Sequence, residues 1–490
     1  MVAAILGFSL VLLLTYHGGV GISPDSIMYT GTARNIVAGK GLLNFDNTPL
    51  IIFPAGYPTF LSCIMWFTGK DIIAIAPITN AVLFAVTIYL SGIIIEGFVI
   101  IAKVYKWFIL LAIAISPSLL DIFSMLWSET LFIVLLLLFI LSLKKYLANK
   151  TFTNILLVSS ITALACITRY IGVSIAATGG IFLLLQKDIA VIKKIKHIVV
   201  FCVVGSLLVA INLIRNNNLS GTLTGVRQKG VTPLSENIQH FGEVLCNWLP
   251  LPKEHTVLLI IIALIFFVCI AISFIYRWLS YKNFTSFENI TACFFTVYVF
   301  LIVGSATISR YETLNNRFFA PAFICWLLSS SCFIPSIFKT VVSKWKMYAA
   351  YSIIIIAGIA FQLNSYLQTK DLYIEYHDEG IGGYSEDLWQ TSATMQFIKN
   401  NKQLFQTSVP TYSNACEPVY YFTGLIVHSL PEQMHIKPVT DFYKEKQQYL
   451  IWLKDSGNPD LLNINEIRHH KDVSIIKELN DGVIYLCKNK

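Results

Sequence analysis

The sequence predicts a polytopic α-helical membrane protein that ends in a small external α/β domain. Three observations predict it. First, 55% of the 490 residues are hydrophobic, only 13% are charged, and mean hydropathy is +0.65. An ordinary soluble domain carries roughly 25% charged residues, so this chain lacks the polar surface that a soluble protein of its length needs. Second, about eleven apolar runs approach the roughly 17–25 residues of a spanning helix. Third, the composition turns polar after residue 363. Together these exclude a soluble cytoplasmic enzyme, a disordered chain and a nucleic-acid-binding module. The net charge of +8 does not reopen the last of these, because Lys and Arg are scattered between apolar runs rather than gathered on one face.

The apolar runs are 1–16, 72–98, 107–120, 129–143, 153–168, 171–186, 197–214, 256–276, 288–308, 318–336 and 347–363. The first lacks a basic leader and a small-x-small cleavage site, so it reads as a retained helix rather than a signal peptide. Lys103 and Lys106, Lys144 and Lys145, Lys193, Lys194 and Lys196, Arg277 and Lys282, and Lys339, Lys344 and Lys346 fall in alternate loops. The positive-inside rule makes those loops cytoplasmic. The N-terminus is then inside and the tail outside. Two long outside loops result, 17–71 and 215–255, with a short one around Arg310, Tyr311, Glu312, Asn316 and Arg317. Two domains follow: a membrane module over 1–363 and an external domain over 364–490.

In the external domain, residues 386–402 have a helical pattern. Residues 408–413, 424–429, 448–453 and 473–487 have strand-like content, and Asn480-Asp481-Gly482 is a hairpin turn signal. Cys416 and Cys487 both fall here, and a disulfide and two free thiols are equally compatible with the sequence. The other cysteines show no CxxC pair. Cys166, Cys202, Cys269, Cys293, Cys325 and Cys332 sit in apolar runs as small packing residues. Asn-x-Ser/Thr tripeptides at Asn149, Asn218, Asn283 and Asn289 read as chance in an Asn-rich chain.

The strongest local signal is Ser23-Pro24-Asp25-Ser26-Ile27-Met28-Tyr29, running on through Ala33-Arg34-Asn35 to Gly39-Lys40-Gly41-Leu42. Ser23 or Asp25 caps a helix that Gly39 stops. Met28, Ala33, Ile36 and Val37 give it an apolar face for the bilayer surface. Asp25 then stands at the membrane–water boundary, as a helix cap or as a general base. Phe53-Pro54-Ala55-Gly56-Tyr57-Pro58 closes the same loop in a rigid turn.

The Asp after the first helix, the Ala-Arg-Asn, the Gly-x-Gly-Leu and the Pro-x-Gly-Tyr-Pro resemble the GT-C superfamily of polyprenyl-phosphate-sugar-dependent membrane glycosyltransferases. Within it, the protein O-mannosyltransferase (family 39) group and the lipid A aminoarabinose transferase are the most similar. Trp127-Ser128-Glu129, Thr168-Arg169-Tyr170-Ile171-Gly172 and Asn316-Arg317-Phe318-Phe319-Ala320-Pro321 resemble three further family segments. Where many members carry a second acidic residue after the Asp, this chain has Ser26.

The resemblance implies an inverting hexosyl- or pentosyltransferase with Asp25 as the catalytic residue. It implies substrate binding by Tyr29, Arg34, Lys40, Tyr57, Glu129, Arg169 and Arg317, with Arg317, Arg169, Arg34 and Lys40 as partners of the leaving phosphate; by its position Glu129 is equally a salt-bridge partner of Arg169 or of a neighbour. The implied partners are a polyprenyl-phosphate-linked sugar donor and a protein, glycan or lipid acceptor. A divalent cation stays open, since some members bind one. His17, His240, Glu243 and His255 lie outside but show no metal-ligand spacing. The implied location is a bacterial inner (plasma) membrane with the C-terminal domain periplasmic. A transporter or flippase of lipid-linked sugars, and a non-catalytic scaffold, are the alternatives. Against transport, the helix interiors are nearly free of charge and the two halves share no similarity.

Overall fold

The computed structural model describes residues 1–98, 102–280, 284–340, 344–454, 456 and 458–490. Lys282 and Asn283 lie outside the described residues, as do the side chains of Cys332, Lys339, Lys344 and Lys346. The chain runs α1 (Val2–Leu14), α2 (Pro24–Val37), α3 (Gly56–Thr68), α4 (Ile72–Glu96), α5 (Lys103–Ala114), α6 (Pro117–Ser124), α7 (Glu129–Ala148), α8 (Phe152–Thr168), α9 (Val173–Leu185) and α10 (Val191–Ser220). It continues through α11 (Leu234–Trp248), α12 (Thr256–Leu279), α13 (Phe287–Ile308), α14 (Asn316–Thr340) and α15 (Lys344–Glu379).

All eleven apolar runs are helical over most of their length. Among the described residues, six helices are long and apolar enough to cross a membrane: α4, α7, α10, α12, α13 and Ser352–Glu379 within α15. α5 and α6 make a seventh if counted as one span bent by 45°. The break has a local cause, because Ser116 caps a new helix whose first residue is Pro117. α1 and α8 are shorter apolar helices. The chain is an integral membrane protein.

α7 is apolar all round and is enclosed by other helices, as such a helix must be. Phe132, Ile133, Leu136, Leu137, Phe139, Ile140 and Leu143 all have 0% exposure. α12 is as apolar, yet Val257, Ile265 and Ile272 stay exposed, the surface left for lipid. Between helices of this kind small residues permit close approach. Gly205 of α10 is an example: a Cβ there would meet the Thr162 side chain of α8 at 3.5 Å.

Four elements depart from the reading by hydropathy. α3 occupies what reads as a rigid turn, because Pro58 sits in the first helical turn, where a missing N–H costs nothing. Gly56 starts it, since a Cβ there would stand 2.5 Å from the Ile167 carbonyl oxygen. α11 lies inside the long 215–255 loop. α10 extends beyond 197–214 at both ends, and α15 runs to Glu379, well past residue 363.

The C-terminal segment adds α16 (Asp387–Gln390), α17 (Ala393–Asn400), β1 (Thr411–Ser413), α18 (Cys416–Thr423), β2 (His428–Ser429), α19 (Ile436–Lys444), β3 (Gln447–Leu453), α20 (Ile464–His470), β4 (Lys471–Glu478) and β5 (Gly482–Asn489). The sheet order is β2-β1-β3-β5-β4. β1 is parallel to β2 and β3, while β5 is antiparallel to β3 and β4. The expected turn at Asn480-Asp481-Gly482 joins β4 to β5. Cys416 and Cys487 are buried free thiols, and burial pushes Cys487 up to about 11.

The Asp481 carboxylate also reaches across to the start of α17. It accepts from Ser392 Oγ at 2.5 Å, Thr394 N at 3.1 Å and Thr394 Oγ1 at 2.6 Å. Burial opposes ionisation here, but these bonds hold the carboxyl below its usual range. Replacing Asp481 with Ala is expected to cost about 1–2 kcal/mol of stability, read as a lower unfolding midpoint. A carboxyl depressed in the folded state stabilises above its unfolded value of about 3.9. The difference between parent and variant should therefore shrink as pH falls through the lowered folded value.

This segment packs onto the first loop. Val20, Ile22, Ile27, Tyr29 and Tyr57 share one buried cluster with Met395, Ile398, Val419, Tyr449 and Ile451. Tyr384 N donates to the Ile22 carbonyl at 2.7 Å, and Ser385 Oγ donates to the Val20 carbonyl at 2.8 Å. His17 lies 3.1 Å from Asp387, and Arg310 lies 2.7 Å from Asp460.

Candidate active site

Asp25 stands in the first turn of α2. Ser23, not Asp25, caps that helix: its hydroxyl accepts from Ser26 N, and Ser26 Oγ accepts from Ser23 N at 3.0 Å. The Asp25 carboxylate is therefore free of the helix end. α2 ends as expected, with Gly39 at φ 74°. Its apolar face is not only turned outward. Ile27, Tyr29, Thr30 and Ala33 are buried, and Val37 is exposed.

Three further elements converge on Asp25. The Met125–Ser128 connection brings Trp127, Ser128 and the start of α7. The end of α8 brings Arg169, in extended backbone at φ −147°. The start of α14 brings Arg317. Arg317 Nη2 forms an ion pair with Asp25 Oδ2. Arg317 Nε donates to Glu129 Oε1 at 2.8 Å. Glu129 Oε2 lies 2.5 Å from Arg169 Nη1, which also donates to Ser128 Oγ at 2.7 Å. One carboxylate with 0% exposure thus holds two arginines. A buried charge of this kind survives only when paired and hydrogen-bonded.

The chain Asp25–Arg317–Glu129–Arg169 borders a cavity of about 270 Å³. Asp25, Tyr29, Ser128, Arg169 and Arg317 line it, together with Arg227, Arg310, Tyr311 and Glu312. Glu129 is joined to it through Arg169 and Arg317, which it pairs. Tyr29 OH is 3.2 Å from Ser128 Oγ, and its ring meets Tyr57 edge-on at 5.0 Å. Burial first, and then Asp25, push the Tyr29 hydroxyl far above its ordinary range, and burial does the same to Tyr57. Both remain neutral phenols. Arg169 Nε is buried without an acceptor among the described residues, a donor left open for an acceptor.

Arg34 and Lys40 are not part of this arrangement. Arg34 makes a bidentate pair with Asp71, at 2.7 and 3.0 Å. Burial works against that carboxylate, but Arg34 still holds it below the usual range. Lys40 is exposed beyond the end of α2. Among the described residues no group of three or more His, Cys, Asp or Glu is placed to hold a metal ion.

Trp127 stands in the Trp127-Ser128-Glu129 segment, whereas Arg227 and Arg310 carry no motif that would single them out. Trp127 places its ring 4.1 Å from the Arg317 guanidinium. Arg227 and Arg310 reach the cavity because residues 228–230 pair with 308–310 as a short antiparallel ribbon, with Lys229 opposite Ser309. The charges that positive-inside bias leaves on this side were their only signal.

No family model matches the chain, and no curated protein does. Solved structures do. Crystal structures of ArnT from Cupriavidus metallidurans, one bound to undecaprenyl phosphate and one in the apo state, match with TM-score 0.61 and 10% identity. The match covers 99% of this chain and 96% and 97% of those chains. The archaeal oligosaccharyltransferase AglB from Archaeoglobus fulgidus matches with TM-score 0.55 and 10% identity, over 92% of this chain and 69% of that one. At this identity the likeness is one of architecture, and it spans nearly the whole chain, including the C-terminal segment. The chain has the fold of these ArnT and AglB structures.

Proposed function

We propose that this protein transfers a sugar from a polyprenyl-phosphate donor to an acceptor hydroxyl, with inversion at the anomeric carbon. The observation that carries the proposal is the ion-pair chain Asp25–Arg317–Glu129–Arg169 along one wall of the cavity. The same fold is seen in a structure bound to undecaprenyl phosphate and in one complexed with an inhibitory peptide and a dolichol-phosphate.

The chemistry needs a proton acceptor for the attacking hydroxyl and an anion clamp for the departing phosphate. Asp25 orients the acceptor hydroxyl and takes its proton as the oxygen bonds to the anomeric carbon. The bond from that carbon to the phosphate oxygen breaks, and the oxygen keeps the electron pair. Arg317 and Arg169 pair the charge that develops on the phosphate. Glu129 holds both guanidinium groups in place before the donor arrives, so no reorganisation is needed at the moment of reaction. Tyr29 and Ser128 complete the wall. Arg34 and Lys40 take no part in these steps.

The ion pairs lie at the end of the bundle where α1 finishes and α7 begins, not midway along the helices. That placement favours surface chemistry over transport. In this reading the bundle sits in a bacterial inner membrane. Residues 1–363 carry the reaction, and residues 364–490 cover the site from the periplasm. The gathering of Lys103, Lys106, Lys144, Lys145, Lys193, Lys194 and Lys196 in alternate loops supports that orientation by the positive-inside rule.

Undecaprenyl phosphate binding to the full-length protein in lipid nanodiscs tests the clamp. Arg317→Gln removes a charge-assisted pair, a loss of roughly 1.5–3 kcal/mol. Affinity should fall about tenfold to a hundredfold. Equal affinity in parent and variant would remove Arg317 from the phosphate site.

A further inference from the structure

We infer that Trp127 is a positioning residue that sets both members of the Asp25–Arg317 pair, one through its indole N–H and the other through its ring face. The inference rests on the transfer reading above and assigns a role to a side chain which that mechanism does not use.

Trp127 sits in the connection between α6 and α7, and this connection is laced to the start of α2. Gly21 N donates to the Ser124 carbonyl at 2.9 Å, and Leu126 N donates to the Gly21 carbonyl at 3.0 Å. Ser26 Oγ donates to the Leu126 carbonyl at 3.1 Å. Trp127 Nε1 completes the lacing by donating to Ser23 Oγ at 2.8 Å. Ser23 is the cap of α2, two residues before Asp25, so this bond fixes the turn that carries the carboxylate. The face of the same indole lies 4.1 Å from Arg317 Cζ. Arg317 points its edge donors at Asp25 and Glu129. A planar cation held over a ring, with its edge donors directed at two carboxylates, has little freedom to turn away. Carboxylate and guanidinium come from segments 292 residues apart, and a single half-buried side chain touches the supports of both. A tryptophan that only filled space would need neither the N–H partner nor the cation over its ring.

Phe and Leu separate the two contacts. Trp127→Phe keeps a ring under Arg317 and loses the N–H, whereas Trp127→Leu loses both. In full-length protein in nanodiscs, with undecaprenyl phosphate as the probe, Trp127→Leu should weaken binding about fivefold to tenfold, the range expected for a partly desolvated cation–π contact. Trp127→Phe should bind as the parent does. The N–H contact is read by unfolding midpoints: Trp127→Phe and Ser23→Ala should shift the midpoint non-additively when combined. Unchanged lipid-phosphate binding in Trp127→Leu, or the same loss in Phe and Leu variants, overturns the positioning role, as do additive midpoints for the Ser23 pair. If the parent itself fails to bind undecaprenyl phosphate, the transfer reading falls instead. Trp127 is then judged by unfolding midpoints of Trp127→Leu with Arg317→Gln, where additivity overturns the inference.

Discussion

Replacing Asp25 with Asn is expected to abolish sugar transfer while leaving the protein folded. The carboxylate lines the cavity with its side chain 24% exposed, so an acceptor can reach it. It is also released from helix capping, which Ser23 performs. Asn keeps the size and an oxygen that accepts from Arg317, but it cannot take a proton. A positioned general base contributes typically 10²–10⁴-fold, and turnover should fall by about that factor. Arg317 keeps its bond to Glu129, so undecaprenyl phosphate binding and the unfolding midpoint should change little. Undiminished transfer in Asp25→Asn would sink the general-base assignment. Lipid scrambling without transfer, in parent and variant alike, would favour a flippase.

The second large effect is on stability. Glu129→Ala takes away the one carboxylate shared by Arg317 and Arg169, leaving two cations facing each other with little access to water. Their side chains are only 12% and 17% exposed. Removing one partner of a buried ionic network costs about 3–5 kcal/mol, a large part of a total that is roughly 5–15 kcal/mol in folded proteins. The variant should express poorly or unfold at a much lower temperature. An anion that takes the vacant place should restore part of the loss, by mass action on the folded state. Undecaprenyl phosphate is therefore expected to raise the unfolding midpoint of Glu129→Ala by more than it raises that of the parent. A variant as stable as the parent, with no added response to the lipid phosphate, would remove Glu129 from the clamp.

Helix propensity and hydropathy are local properties, and what they govern was legible along the chain. The eleven apolar runs are helices, the Ser23–Gly39 segment is a capped and stopped helix, and Asn480-Asp481-Gly482 is the hairpin turn. α3 and α11 escaped for an equally local reason. Both lie inside Pro- and Gly-containing loops: α3 begins in the Pro54–Pro58 segment that reads as a turn, and α11 is amphipathic rather than apolar throughout, so a search for spanning runs passes over both. α15 escaped at its far end because polar residues after 363 look like the end of a span, although nothing in them stops a helix before Gly380, at φ 83°.

The candidate site divides along the same line. Sparse charge in an apolar chain singled out Asp25, Glu129, Arg169 and Arg317. What the sequence left undecided was partnership. Glu129 reads equally well as a substrate contact or as one half of a salt bridge, and it proves to hold two arginines, one 188 residues away. Arg34 carries the same charge and lies in the same motif, but Asp71 claims it, because α2 packs alongside α3 and the start of α4. Trp127 carries no charge at all, and its role exists only where α2, α7 and α14 meet. A single residue type and its neighbours determine whether a segment spans a membrane or caps a helix, since those energies are settled within a few turns of chain. Ion pairs and stacked cations are settled by distances of a few ångströms between segments remote in sequence, and only the packed bundle supplies them.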